Sequence, residues 1–248
     1  MHNREAVMSN TKAVWLCNYN NFDVTETYGI KATLPEVFDA VQFYKLEKKK
    51  KSNVIEKGEE QKYYDINEMD LVFCKSWSKG EHINTHHMPS KVFIKPNEKL
   101  PKYDELMFNI IGGGYLLFNQ QCYDIISQFT LGATHFSQVY IYDIETEELK
   151  SQTPYYFINI AETRDYLNVE ESKGIDANSC GPKLPTHSIW EPTDDDIQLN
   201  TTAQECEVDV WHDPVLRKSL FFSDELVSAL LASGIKQQAL ALIRCVVK

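Results

Sequence analysis

Tyr115-Leu-Leu-Phe-Asn-Gln-Gln-Cys-Tyr-Asp-Ile-Ile126 and Ser219-Leu-Phe-Phe-Ser-Asp-Glu-Leu-Val-Ser-Ala-Leu230 repeat one pattern at an offset of 104 residues. Each reads as a short apolar strand, a polar capping residue (Asn119 or Ser223) and an amphipathic helix. Leu116 matches Leu220, Phe118 matches Phe222 and Ile126 matches Leu230. In the second copy Asp224 and Glu225 fall in the first helical turn, where the unpaired N–H groups favour carboxylates. Leu226, Val227, Leu230 and Leu231 form its apolar stripe, and Gly234 is its natural stop. Each copy runs on into another apolar strand, at residues 139–142 and 240–247, the first followed by an acidic turn at 143–148. Two copies are too few for a solenoid. The expected class is α+β, with mixed or antiparallel sheets, a few packed helices and a weak internal β-α-β duplication in the C-terminal part.

Outward from this unit, residues 155–160 (Tyr-Tyr-Phe-Ile-Asn-Ile), 13–17, 71–74 and 92–94 read as further strands. Thr33 is expected to cap a helix with Pro35 in its first turn and Val37, Phe38, Val41, Tyr44 and Leu46 near one face. Lys45, Lys48, Lys49, Lys50 and Lys51 then form a solvated helix end that suits the negative pole of the helix dipole. Residues 52–62 are polar and read as a mobile loop. The segment Pro96-Asn-Glu-Lys-Leu-Pro101 is the expected boundary between an N-terminal α+β region, 1–100, and a second α+β domain, 101–248, unless the two are continuous.

The 248 residues are 43% hydrophobic and 25% charged, the balance of an ordinary globular protein. No apolar run approaches the ~20 residues of a membrane span. The N-terminus lacks the charged-then-apolar order of an export signal, so a cytoplasmic location and no membrane partner are expected. Six cysteines are scattered without CxxC spacing, and four of them (Cys17, Cys74, Cys122, Cys245) lie in apolar runs, which fits buried free thiols in a reduced compartment.

A net charge of −11 disfavours nucleic acid as a partner. Eight of those charges lie between Leu184 and Leu216, a stretch without Lys or Arg: Glu191, Asp194, Asp195, Asp196, Glu205, Glu207, Asp209 and Asp213. An acidic surface attracts basic partners. Trp190 and Trp211 flank the run as aromatic anchors, with Tyr166 a weaker one; ordinary core packing is the competing reading for both tryptophans.

Signals for chemistry are weak. His82 and His86 have His-x3-His spacing, but Pro89 favours a loop over the helix that would align two zinc ligands. Gly112, Gly113 and Gly114 lack the Lys-Ser/Thr of a phosphate loop. Asp194, Asp195 and Asp196 lack calcium-loop spacing. No G-x-S-x-G elbow is present, and Cys180-Gly-Pro reads as a turn. No metal, cofactor or catalytic set is expected.

From about Leu106 to the end the chain resembles the immunity proteins of bacterial polymorphic toxin systems, in particular immunity family eleven, of the MXAN type. The resemblance lies in Gly113-Gly-Tyr-Leu-Leu-Phe-Asn with its following helix, in Tyr155-Tyr-Phe-Ile-Asn-Ile, and in Asp209-Val-Trp-His-Asp-Pro with Ser219-Leu-Phe-Phe-Ser-Asp-Glu-Leu. Asn119 stands where such sequences usually carry Ser, and the first hundred residues carry no resemblance. The resemblance implies a non-enzymatic protein that binds and neutralises a cognate toxin domain encoded by a neighbouring gene, delivered by a contact-dependent or type VI pathway and acting in the cytoplasm. The charge suits a basic toxin such as a nuclease. The alternatives are an enzyme, a hydrolase or transferase that reverses a toxin's modification, and a scaffold protein.

Overall fold

The computed structural model describes residues 12–19, 26–102, 104–110, 115–177, 187–216 and 220–248. Its strands are Val14–Cys17 (β1), Thr27–Tyr28 (β2), Lys31–Thr33 (β3), Lys91–Ile94 (β4), Met107–Ile110 (β5), Leu116–Phe118 (β6), His135–Asp143 (β7), Tyr155–Asn159 (β8), Ile175–Ala177 (β9), His187–Ile189 (β10), Gln198–Leu199 (β11), Val210–Trp211 (β12), Leu220–Ser223 (β13) and Leu242–Val247 (β14). The helices are Ala40–Lys51 (α1), Lys57–Ser78 (α2), Gln120–Ile126 (α3) and Asp224–Ala232 (α4). The class is α+β.

Two sheets carry the fold, a seven-stranded one in the order β2-β5-β6-β8-β7-β4-β3 and a five-stranded one in the order β11-β14-β1-β13-β12. The repeated sequence pattern becomes a repeated topology. Strands β5, β6, β8 and β7 are successively antiparallel, and β7 is parallel to β4. Strands β12, β13, β1 and β14 are likewise successively antiparallel, and β14 is parallel to β11. Five strands of one sheet therefore match five of the other in order and sense. In each copy the β-α-β unit straddles a strand from elsewhere in the chain: β8 lies between β6 and β7, and β1 between β13 and β14. Helices α3 and α4 pack on each other.

Local chemistry starts both helices in the same way. Asn119 Oδ1 accepts the Cys122 N–H at 3.0 Å, and Ser223 Oγ accepts the Leu226 N–H at 3.2 Å. Each cap satisfies one of the backbone donors that a helix start leaves unpaired. The period-two alternation of the strands then sorts side chains between two cores. Leu220 and Phe222 join the large core with Leu116, Phe118 and Phe157, whereas Phe221 faces a smaller one with Val14, Leu16 and Trp211.

Three sequence expectations change. Strand β1 completes the five-stranded sheet, while β3 and β4 complete the seven-stranded one, so residues 96–101 do not divide the fold into two bodies. Thr33 lies in β3, and Asp39 caps α1 instead, its Oδ1 accepting the Gln42 N–H at 2.9 Å; Thr33 Oγ1 accepts the Ala40 N–H at 3.2 Å from outside the helix. Residues 57–78, read as part of a loop and then a strand, form the long helix α2. The Glu59 carboxylate accepts the Glu56 N–H at 3.3 Å at its start. An apolar run as short as Leu71-Val-Phe-Cys74 does not distinguish strand from helix, and here the surrounding helix formers prevail.

Candidate protein-binding site

The acidic run does not form one exposed face. Trp211 is 1% exposed, stacked on Phe221 at 5.8 Å and met edge-on by Tyr166 at 6.2 Å. Asp213 is 3% exposed; its Oδ2 accepts the Leu167 N–H at 3.1 Å and its Oδ1 the Val215 N–H at 2.9 Å. Burial pushes its pKa up, and the hydrogen bonds from Val215 and Leu167 offset part of that rise. Asp209 accepts the Thr130 N–H at 2.8 Å and the Ser223 hydroxyl, tying β12 to the cap of α4. Trp211 and Asp213 are buried in the fold, which corrects their reading as partner contacts, whereas Asp209 is half-buried and engaged by these bonds.

The triple aspartate is folded against the chain's own cations. Asp195 holds the Arg244 guanidinium in a two-pronged pair at 3.1 and 2.8 Å, and Asp194 accepts the Arg244 backbone N–H at 2.8 Å. Asp196 accepts both the hydroxyl (2.6 Å) and the N–H (2.9 Å) of Thr193 and pairs with Lys173 at 3.2 Å. The Thr193 bonds lead in lowering the Asp196 pKa to about 2, with Lys173 adding to them. What stays open is Trp190, 65% exposed, with the exposed Glu191, Glu205 and Glu207. Those three carboxylates have no ion pair among the described residues.

A better-formed surface lies on α2, where sequence reading placed nothing. The helix is anchored at its C-terminal end by Trp77, which is fully buried against Tyr115 and Phe157 and donates its indole N–H to the Ile158 carbonyl at 2.8 Å. Upstream the anchoring thins, and Met69 and Val72 stand 45% and 58% exposed. They line a groove of about 630 Å³ together with Val37, Phe73 and Ile83. Its helical wall presents Asp65, Glu68, Met69, Val72, Phe73 and Ser76, spaced i, i+3, i+4, i+7, i+8 and i+11 along one face. That spacing was available in the sequence, but only a reader who took 57–78 as a single helix would find it.

The opposite wall is the segment 81–87, held to the sheet by a fully buried side chain. Asn159 donates its amide N–H to the Glu81 carbonyl at 3.1 Å and accepts the Ile83 N–H on its Oδ1 at 2.9 Å. Three carboxylates edge the groove, Asp65, Glu68 and Glu81, the last meeting Lys79 at 4.0 Å, and no Lys or Arg is among its described lining residues. By contrast, a cleft of about 720 Å³ between α1 and β4 is lined by four lysines, of which Lys49 faces Glu59, Lys45 faces Glu147 at 3.5 Å and Lys91 lies over the Tyr142 ring.

The candidate chemical groups are separated or tied up. His82 lies against His135 with ring centres 5.1 Å apart and planes tilted by 37°, His86 reaches Glu36 at 3.2 Å, and His87 Nδ1 donates to the Pro35 carbonyl at 3.0 Å. Among the described residues no group of three or more His, Cys, Asp or Glu side chains is gathered as a metal site. Burial raises the thiol pKa of Cys74 and of Cys122 to about 12, and also pushes up those of Cys17 and Cys245. A thiol held protonated is a poor nucleophile. Residues 112–114, 180 and 184–186 lie outside the described residues. Among the described residues no helix is long and apolar enough to cross a membrane. Neither a protein-family model nor a curated protein matches this chain.

Proposed function

We propose that this chain is an immunity protein that binds a cognate secreted toxin domain in the cytoplasm and blocks it by occlusion, without catalysis. The observation that carries the reading is the α2 groove, where Met69 and Val72 are held open to solvent beside a fixed wall. Large apolar side chains gathered in a polar-rimmed groove are the usual mark of a protein contact. Three carboxylates at its edge favour a basic partner and speed the encounter with it. Trp190 with Glu191, Glu205 and Glu207 offers a second, peripheral contact of the same charge. The partner is the product of a neighbouring gene, and a basic nuclease suits the field best.

Expressing that neighbouring gene with and without this chain tests the proposal. Restored growth together with a stable complex on a sizing column is the expected result. Restored growth without a complex favours the alternative, an enzyme that reverses the toxin's modification. No rescue at all removes the toxin reading.

A further inference from the structure

We infer that the α2 groove receives a single amphipathic α-helix of the partner, apolar along one stripe and flanked by Lys or Arg. This rests on the reading of the chain as a toxin-binding protein and names the part of the toxin that it recognises. The first argument is shape. The helical wall runs straight from Asp65 to Ser76, about 17 Å at 1.5 Å per residue, the length of about three helical turns. Met69 and Val72 stand on that wall one turn apart, opposite Val37 and Ile83, a spacing that side chains at i, i+3 or i+4, and i+7 of a second helix would meet.

The second argument is hydrogen bonding. An extended segment would need a free backbone edge to pair with. The α2 backbone is bonded within its helix. On the other wall Glu81 gives its N–H to Ser76, Ile83 to Asn159, His86 to the Asn84 side chain and His87 to the Asn84 carbonyl. Among the described residues only His82, Asn84 and Thr85 keep an N–H without a partner there, and Thr85 opens a tight turn at 85–87, so the wall is too short and too curved an edge for a strand. A helix brings its backbone already satisfied, and only its side chains need to fit.

The third argument is charge. Asp65 and Glu68 stand on the helical wall without an ion pair among the described residues, Glu81 stands across from them and meets Lys79 at 4.0 Å, and no Lys or Arg is among the described lining residues. A second copy of this chain is a poor occupant. Its own α2 would bring the same carboxylates together, and the lysines of its α1 already engage Glu147, Glu145, Glu59 and Glu47.

The probe is a labelled synthetic peptide of about four helical turns, with Leu at i, i+3, i+4 and i+7 and Lys beside them. It is titrated into the full chain by fluorescence anisotropy, with circular dichroism following helix formation. Saturable binding with gain of helix is expected. The peptide with Glu in place of Lys, and the peptide with a central Pro, should each bind about tenfold more weakly or worse. Val72→Glu and Met69→Glu, at positions exposed enough to leave the fold intact by thermal melting, should weaken binding to the same degree. Absence of saturable binding, equal binding of the Glu or Pro peptide, or indifference to both substitutions overturns the inference. The complex with the neighbouring gene product separates the two claims. If it forms and survives Val72→Glu, the groove assignment fails while toxin binding stands. If no complex forms, toxin binding itself fails.

Discussion

Asp213→Ala measures how much of the acidic run serves the fold rather than a partner. The carboxylate is 3% exposed, and its two oxygens receive two different backbone donors, Leu167 at 3.1 Å and Val215 at 2.9 Å. Leaving a buried N–H unpaired costs about 1–3 kcal/mol, so two cost about 2–6 kcal/mol. The charge partly offsets this, because burial raises the Asp213 pKa and so makes its ionised form unfavourable in the folded state. A net loss of about 2–4 kcal/mol at neutral pH is therefore expected. Asp213→Asn keeps one acceptor but turns its NH₂ toward the second donor, so a loss of about 1–3 kcal/mol is expected there. Glu207→Ala, at an exposed position, should stay within about 0.5 kcal/mol of the parent. The pH dependence adds a second reading. With the folded pKa above the unfolded one, the contribution of Asp213 is fully present below the ordinary carboxylate range and is lost as pH rises through the raised value. The Asn variant should lack that component. Urea unfolding followed by circular dichroism across acid pH supplies all of these numbers. Coincident midpoints for the parent and Asp213→Ala, or an equal loss in Glu207→Ala, would refute the division of the run into buried and surface members.

Four further outcomes are expected. Trp211→Ala should cost about 3–5 kcal/mol in the same assay and Trp190→Ala less than about 0.5 kcal/mol, because one ring is in the core and the other in solvent. Asn159→Ala should destabilise by about 1–3 kcal/mol and speed hydrogen exchange at Ile83, whose amide loses its acceptor; unchanged exchange would mean that another group holds the groove wall. The low Asp196 pKa implies stability that is present above the ordinary carboxylate range and lost as pH falls toward about 2, and Lys173→Ala should shift the Asp196 titration upward by NMR. Brief iodoacetamide treatment of the native protein should spare Cys17, Cys122 and Cys245, whose thiols burial holds protonated; rapid labelling of any of them by mass spectrometry would contradict that.

Much of the candidate site was hidden in the sequence for reasons that are physical. Leu71-Val-Phe-Cys74 reads equally well as a strand or as part of a helix, so the stripe from Asp65 to Ser76 could not be drawn until α2 was known to run through it. Charge counting along the chain gave all eight acids of the run the same weight. Their environments differ because Arg244, Lys173 and the backbone donors of Leu167 and Val215 reach them from other segments. The tryptophans show the same limit, since Trp190 and Trp211 are alike in composition and opposite in burial.

Sequence alone determined the parts that obey local rules: the α+β class, the strand–cap–helix units at Asn119 and Ser223, and strands such as Val14–Cys17 and Tyr155–Asn159. Capping bonds span three residues and strand alternation spans two, so a linear reading captures them. Tertiary structure alone decided that β1 and β8 insert into the duplicated units, that residues 96–101 do not part the fold, and that the open apolar surface lies on α2. Each of these depends on partners far apart in the chain, as when β1 pairs with β13 and β14 more than two hundred residues away. No local preference encodes such a pairing; it follows from which faces can be buried together.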